Sequence, residues 1–378
     1  MTRHYLDHNA TAPMRPEAIE AAAAAMSRDG NALSVHAEGR AARKTLEDAR
    51  EQVRALANAP VNGVILTGGG TEAIHLALHG SAAAGVARIF VSAIEHAAVA
   101  ANAETTGADI ETIPATRDGT VDLDWLRARL QGYDAAADGA FLVCVMAANN
   151  ETGVIQPVRE AADIAHGAGG LLFCDAAQAL GKIPVNFIMS GADMMSATAH
   201  KFGGPLGAGA LFVAPNQPLA PVMRGGGQEM NRRAGTHNVA AVAGFGKACE
   251  LARESLARAG DIAALRDRIE QTVAEAGARI WGAGSPRLPG TLCFSAPGFS
   301  AETQLMALDL AGVAVSSGSA CSSGKSTPSH VLAAMGASAE EASSSIRVSL
   351  GWNSTSADAD AFCRVWLSAY SRVKSKAA

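Results

Sequence analysis

The segment SATAHKFGGPLGAG (196–209) places Lys201 after a histidine and before a glycine-rich turn, at the end of a strand-like run. A lysine among small residues is suited to form a Schiff base once burial or nearby cations lower its pKa. A lone lysine is usually just solvated, but this one has company. In FCDAAQALGK, Asp175 ends an apolar run and Gln178 follows three residues later. A carboxylate at a strand's end is well placed to keep a ring nitrogen protonated. TGGGTEA (67–73) follows a strand-like run and opens a helix-like one. Its backbone N–H groups and the helix dipole suit an oxyanion. An anion site, a Schiff-base lysine and a pyridinium partner together are what pyridoxal 5′-phosphate needs. The same glycines allow another reading. Gly68, Gly70 and Ala73 match a loose dinucleotide pattern, with Glu95 about 20 residues on as the ribose acid.

SSGSACSSGK (316–325) sets one thiol, Cys321, among serines and glycines. Such a stretch has little to bury and is predicted to be a mobile surface loop. The other five cysteines, Cys144, Cys174, Cys249, Cys293 and Cys363, form no C-x-x-C pair, so a zinc or redox clamp has no local support. Cys144 and Cys174 sit in strand-like runs and are expected to pack as small hydrophobes. His75 and His79, four apart, share a helix face, but no third ligand is evident and no metal is expected.

The elements that must position these residues follow from the pattern of the chain. Short apolar runs alternate with helix-like stretches from VILTG through LLFCDA, which implies a mainly parallel sheet covered on both faces. The fold class is α/β, with a large domain over 14–245. Residues 246–261 are predicted to form a connecting helix, and 1–13 with 262–378 a smaller α+β domain. At 378 residues, 48% hydrophobic and 18% charged, the composition is that of a soluble globular protein. A net charge of -5 supplies no basic field for nucleic acid or anionic membrane. No apolar run suits a bilayer span or a secretory signal, so a cytoplasmic setting is expected.

The motifs LDHNATAPMRPEA, GNALSVHAEGRAAR, LTGGGTEAIHLAL, NNETGVIQP, CDAAQALGK, AHKFGGPLGAGAL, GGGQEMNRRAGTHNV, SSGSACSSG and SSIRVSLG run in order over almost the whole chain. In this it resembles the cysteine desulfurases of the aminotransferase class V family, which include the nitrogenase-associated and housekeeping sulfur donors. The resemblance implies a fold-type I pyridoxal-phosphate enzyme that acts as a homodimer, and it displaces the dinucleotide reading. It implies conversion of L-cysteine to L-alanine, with sulfur passing to Cys321 as a persulfide. A sulfur-acceptor protein would then receive it, for iron–sulfur cluster assembly or other sulfur delivery.

By the same resemblance, Lys201 holds the cofactor aldehyde and moves a proton, Asp175 pairs with the pyridine nitrogen, and Gln178 bonds the ring hydroxyl. His96 stacks on the ring and shuttles a proton. Gly70, Thr71, Thr198 and His200 bind the phosphate, joined by Thr236 of a second protomer, while Asn150 and Arg347 grip the substrate carboxylate. The resemblance is not complete. GNALSVH lacks the proline usual after the asparagine, and the chain ends soon after RVKSKAA, without the tail that housekeeping members use to contact their scaffold. The identity of the acceptor therefore stays open. So do two other readings: a selenocysteine lyase or another class V enzyme that does not need Cys321, and a non-catalytic docking platform for sulfur transfer.

Overall fold

A computed structural model describes residues 3–317 and 329–377. The first strand, β1 (His4–Tyr5), precedes seven strands of a single sheet. These are β2 (Val64–Thr67), β3 (Val86–Ser92), β4 (Asp109–Ile113), β5 (Ala140–Cys144), β6 (Leu171–Asp175), β7 (Met194–Thr198) and β8 (Gly209–Val213). After them come β9 (Arg279–Ile280), β10 (Thr291–Ser295), β11 (Val313–Ala314), β12 (Ser316–Ser317) and β13 (Ser345–Ser349).

The large sheet has the order β2-β8-β7-β6-β5-β3-β4. Only β8 runs against the rest, antiparallel to both β2 and β7. The strands β5 to β8 are apolar along almost their whole length because helices cover both faces, and nearly every residue in them is buried. The carboxyl ends of β2, β6 and β7 consequently open on one edge, carrying Thr67, Asp175 and Thr198. Ligands of open α/β sheets bind at that edge.

Close backbone approach at this edge depends on a glycine. A Cβ on Gly209, the first residue of β8, would lie 2.6 Å from the Gly69 carbonyl carbon and 2.7 Å from the Ala197 oxygen. Gly209→Ala is therefore expected to push the 68–70 turn outward, at a cost of about 1–3 kcal/mol. The melting temperature should fall, and affinity for pyridoxal phosphate should weaken; an unchanged affinity would show that the turn does not bear on the cofactor.

The second sheet, β12-β13-β10-β9, is antiparallel and lies over a separate core that includes Leu6, Ile269, Phe294, Phe362 and Trp366. The N-terminal segment joins this part of the molecule: β1 pairs with β11, and Asp7 bridges to Ser349 of β13. The connecting helix differs from the sequence expectation. It spans Val239–Ser255, starting upstream of 246, because the Asn238 side chain caps it by accepting from Ala241 N at 3.0 Å. A short 3₁₀ turn (Leu256–Arg258) then separates it from a second helix, Ala259–Glu275.

Candidate active site

A cavity of about 250 Å³ lies at the carboxyl edge of the large sheet, between it and the antiparallel sheet. Its lining includes Gly70, Thr71, His96, Asn150, Asp175, Gln178, Thr198, His200, Lys201 and Arg347. Ten of the twelve residues singled out in the sequence thus meet in one place. Of the other two, Thr236 is exposed and outside this lining, on the segment between β8 and the Val239–Ser255 helix. Cys321 lies outside the described residues.

One end of the cavity is built for an anion. The helix Gly70–Ala83 starts there, with Gly69 at its N-cap, and presents Gly70 and Thr71. Thr198 lies directly against this start; a Cβ on Gly70 would make an ordinary contact 3.4 Å from Thr198 Cβ. Burial, followed by the charges of Lys201 and Lys182, lowers the pKa of His200 to about 4. At neutral pH this imidazole is uncharged and serves as a hydrogen-bonding group, so the positive field at this end comes from the helix dipole and the Lys201 charge.

The middle of the cavity carries Asp175, 6% exposed at the end of β6. Its two protein donors, Ser196 Oγ at 2.7 Å and Ala177 N at 3.0 Å, both reach Oδ1. Behind it stands Glu95, which sequence reasoning had weighed as a ribose-binding acid. It is only 2% exposed, and its Oε1 accepts from Met146 N at 2.5 Å. Burial first, then the Asp175 charge, push its carboxyl well above the ordinary range. Burial thus favours the protonated form of Glu95, behind Asp175.

Lys201 follows β7 in the short turn Ala199–Lys201, and its Nζ donates to the carbonyls of Asn9 at 2.7 Å and Ala10 at 2.9 Å. His96 caps the helix Ala97–Glu104, its Nδ1 accepting from Ala98 N at 3.1 Å. It therefore fills the capping role and also lines the cavity. With Nδ1 used as an acceptor, the ring proton of neutral His96 resides on Nε2.

At the far end, Arg347 from β13 is 2% exposed. Its Nη1 donates to the Asn150 carbonyl at 3.0 Å and its Nη2 to Asp7 Oδ1 at 2.9 Å. Asp7 Oδ2 in turn accepts from Ser316 Oγ at 2.9 Å. Sequence reasoning assigned no role to Asp7 or Lys182. Asp7 and Lys182 do fall inside quoted motifs, LDHNAT and CDAAQALGK, and that was the available signal. Arg347→Ala is expected to weaken apparent affinity for cysteine by roughly 2–4 kcal/mol, the loss of a desolvated charge-assisted pair. The absorbance of the bound cofactor should not change, and a mutant with normal KM would refute the role.

The His75 and His79 rings lie 4.1 Å apart, tilted by 36°, and bond to Asn102 and Thr105. Among the described residues no group of three or more His, Cys, Asp or Glu is arranged to hold a metal.

An anion cradle at the helix start after β2, a lysine in the turn after β7 and a buried carboxylate at the end of β6 fit pyridoxal 5′-phosphate by the chemistry of the donor set. The chain belongs to the aminotransferase class-V family, whose model matches residues 4–362, and its cofactor is pyridoxal 5′-phosphate. It is 41% identical to an IscS-like cysteine desulfurase of Mycobacterium tuberculosis, over 98% of this chain and 97% of that one. Its fold matches a NifS-like protein of Rickettsia africae with a TM-score of 0.89 at 32% identity, covering 98% of this chain and 100% of the other. A solved structure titled SspA in complex with cysteine matches with a TM-score of 0.78 at 26% identity, over 93% of this chain and 100% of that one.

Proposed function

We propose that the protein is a pyridoxal-phosphate-dependent cysteine desulfurase. It converts L-cysteine to L-alanine and passes the sulfur through a persulfide on Cys321 to an acceptor protein, for iron–sulfur cluster assembly or other sulfur delivery. The observation that carries this reading is the single cavity in which Lys201, Asp175, the Gly70 helix start and Arg347 stand together. The relatives named cysteine desulfurase support the choice of reaction.

When bound, the cofactor supplies an electron sink for charge developing on the substrate carbon. Lys201 Nζ would hold its aldehyde carbon and, once displaced by substrate, carry the proton from Cα. Asp175 would keep the ring nitrogen protonated. Arg347 and Asn150 would orient the carboxylate, and His96 Nε2 would exchange a proton above the ring. Cys321, as thiolate, would attack the substrate sulfur. An S–S bond forms as the Cβ–S bond breaks, and its electron pair stays on carbon, which takes up a proton and leaves as alanine. The free thiols suit a reducing cytoplasm, and no described helix is long and apolar enough to cross a membrane. With a thiol reductant present, L-cysteine should yield alanine and sulfide in equal amounts. Pyruvate and ammonia in place of alanine would overturn the reading.

We further propose a homodimer in which Thr236 serves the neighbouring site. Thr236 is exposed, yet the segment that carries it is firmly anchored. Buried Glu229 accepts from Arg50 Nη1 at 2.6 Å and pairs with His237 at 2.5 Å. Burial pushes the Glu229 carboxyl up, but these partners outweigh it and hold the pKa at about 2. Mixing Lys201→Ala with Thr236→Ala chains should restore activity, because the heterodimer contains one complete site. A mixture no more active than its parts, after proven exchange, would contradict this arrangement.

A further inference from the structure

Lys182 is an amine beside the cavity to which the reaction assigns no part. It follows Gln178 by four residues, in the turns after β6, and its Nζ donates to Gln178 Oε1 at 2.5 Å and to Asn9 Oδ1 at 2.7 Å. Burial, then the charges of Lys201 and Arg347, drive its pKa well below the ordinary lysine value. Protonated or neutral, the amine has hydrogens to give to both oxygens.

Both amides have a meaning only in one orientation. Gln178 Nε2 donates to the Asn9 carbonyl at 3.0 Å, which leaves its second N–H for a ligand in the cavity. Asn9 Nδ2 donates to the Asn150 carbonyl at 3.1 Å and to Thr291 Oγ1 at 3.0 Å. The same Asn150 carbonyl accepts from Arg347. A flipped Gln178 would set its oxygen against the Asn9 carbonyl and offer an acceptor to the cofactor's ring oxygen. A flipped Asn9 would do the same to the Asn150 carbonyl. An amide is ambiguous by shape, and only its partners choose the orientation. Here the Asn9 and Asn150 carbonyls accept from the N–H sides, and one amine, Lys182, donates to both oxygen sides.

We propose that Lys182 is a positioning residue that locks the Gln178 and Asn9 amides, so that Gln178 presents a donor to the ring oxygen and Asn9 supports the Asn150–Arg347 pair. This rests on the cofactor placement proposed above. A second cavity, of about 60 Å³, lies on the other side of Lys182 and is lined in part by Gly181, Ser255, Ile262 and Trp352.

The test is a double-mutant cycle read on the cofactor itself. Holoenzyme spectra and pyridoxal-phosphate affinity on reconstitution are measured for wild type, Gln178→Ala, Lys182→Met and the double mutant. Each single change should shift the visible maximum and weaken affinity by about tenfold, the effect of one buried hydrogen bond lost. Lys182→Met should add less than about twofold once Gln178 is gone. The melting temperature of each holoenzyme is read alongside, and Lys182→Met should change the spectrum and affinity while staying folded at the assay temperature. A Gln178→Ala protein with an unaltered spectrum and affinity overturns the placement of Gln178 and this role for Lys182 with it. An altered Gln178→Ala beside an unaltered Lys182→Met, additive losses, or losses in Lys182→Met that track unfolding overturns the role of Lys182 alone.

Discussion

Lys201→Ala is expected to abolish turnover of L-cysteine and to remove the visible absorbance of the bound cofactor. The residue has two duties, covalent anchorage and proton transfer, and the second alone is worth roughly 10²–10⁴ in rate. No neighbour can stand in. Among the described residues, Lys182 is the lysine beside it, and its Nζ is committed to the Asn9 and Gln178 side chains. The phosphate cradle remains, so the mutant should still bind free pyridoxal phosphate weakly, and turnover is the sharper readout. Normal activity with added cofactor would remove Lys201 from the mechanism.

Cys321→Ala should leave cofactor binding and the first spectral response to cysteine intact, yet reduce sulfide and persulfide formation to background. The cofactor-side work belongs to Lys201 and Asp175, whereas breaking the Cβ–S bond needs a second thiol. The remaining cysteines cannot supply it. Cys144, Cys174, Cys249 and Cys293 are buried, and burial raises each thiol far from reactivity. Cys363 packs against the core of the smaller part, with its pKa raised as well. Selenocysteine is the control, because its better leaving group departs without a thiol attacker. Wild-type sulfide release by the mutant would instead favour a lyase in which Cys321 is dispensable.

The large sheet was legible because its strands are apolar on both faces and the helices between them are not. That pattern put Asp175, Thr198 and Lys201 at strand ends. It did not reveal that Arg347 and Asn150, 197 residues apart in sequence, touch. Only the resemblance paired them. Lys182 and Asp7 escaped because their meaning lies in partners from distant segments, Asn9 for one and Ser316 with Arg347 for the other. Glu95 was weighed as a ligand-binding acid because a motif cannot show burial, and burial is what sets it behind Asp175 rather than on the cavity lining. The start of the connecting helix turned on Asn238, a capping side chain that hydrophobic periodicity does not register.

A single turnover decides the central claim. The holoenzyme is mixed with L-cysteine and no reductant, alanine is quantified, and the peptide carrying Cys321 is examined for an added sulfur atom. One alanine should appear for each Cys321 that gains sulfur, with no free sulfide beyond background. Alanine without sulfur on Cys321, or free sulfide accompanied by pyruvate, would contradict the account.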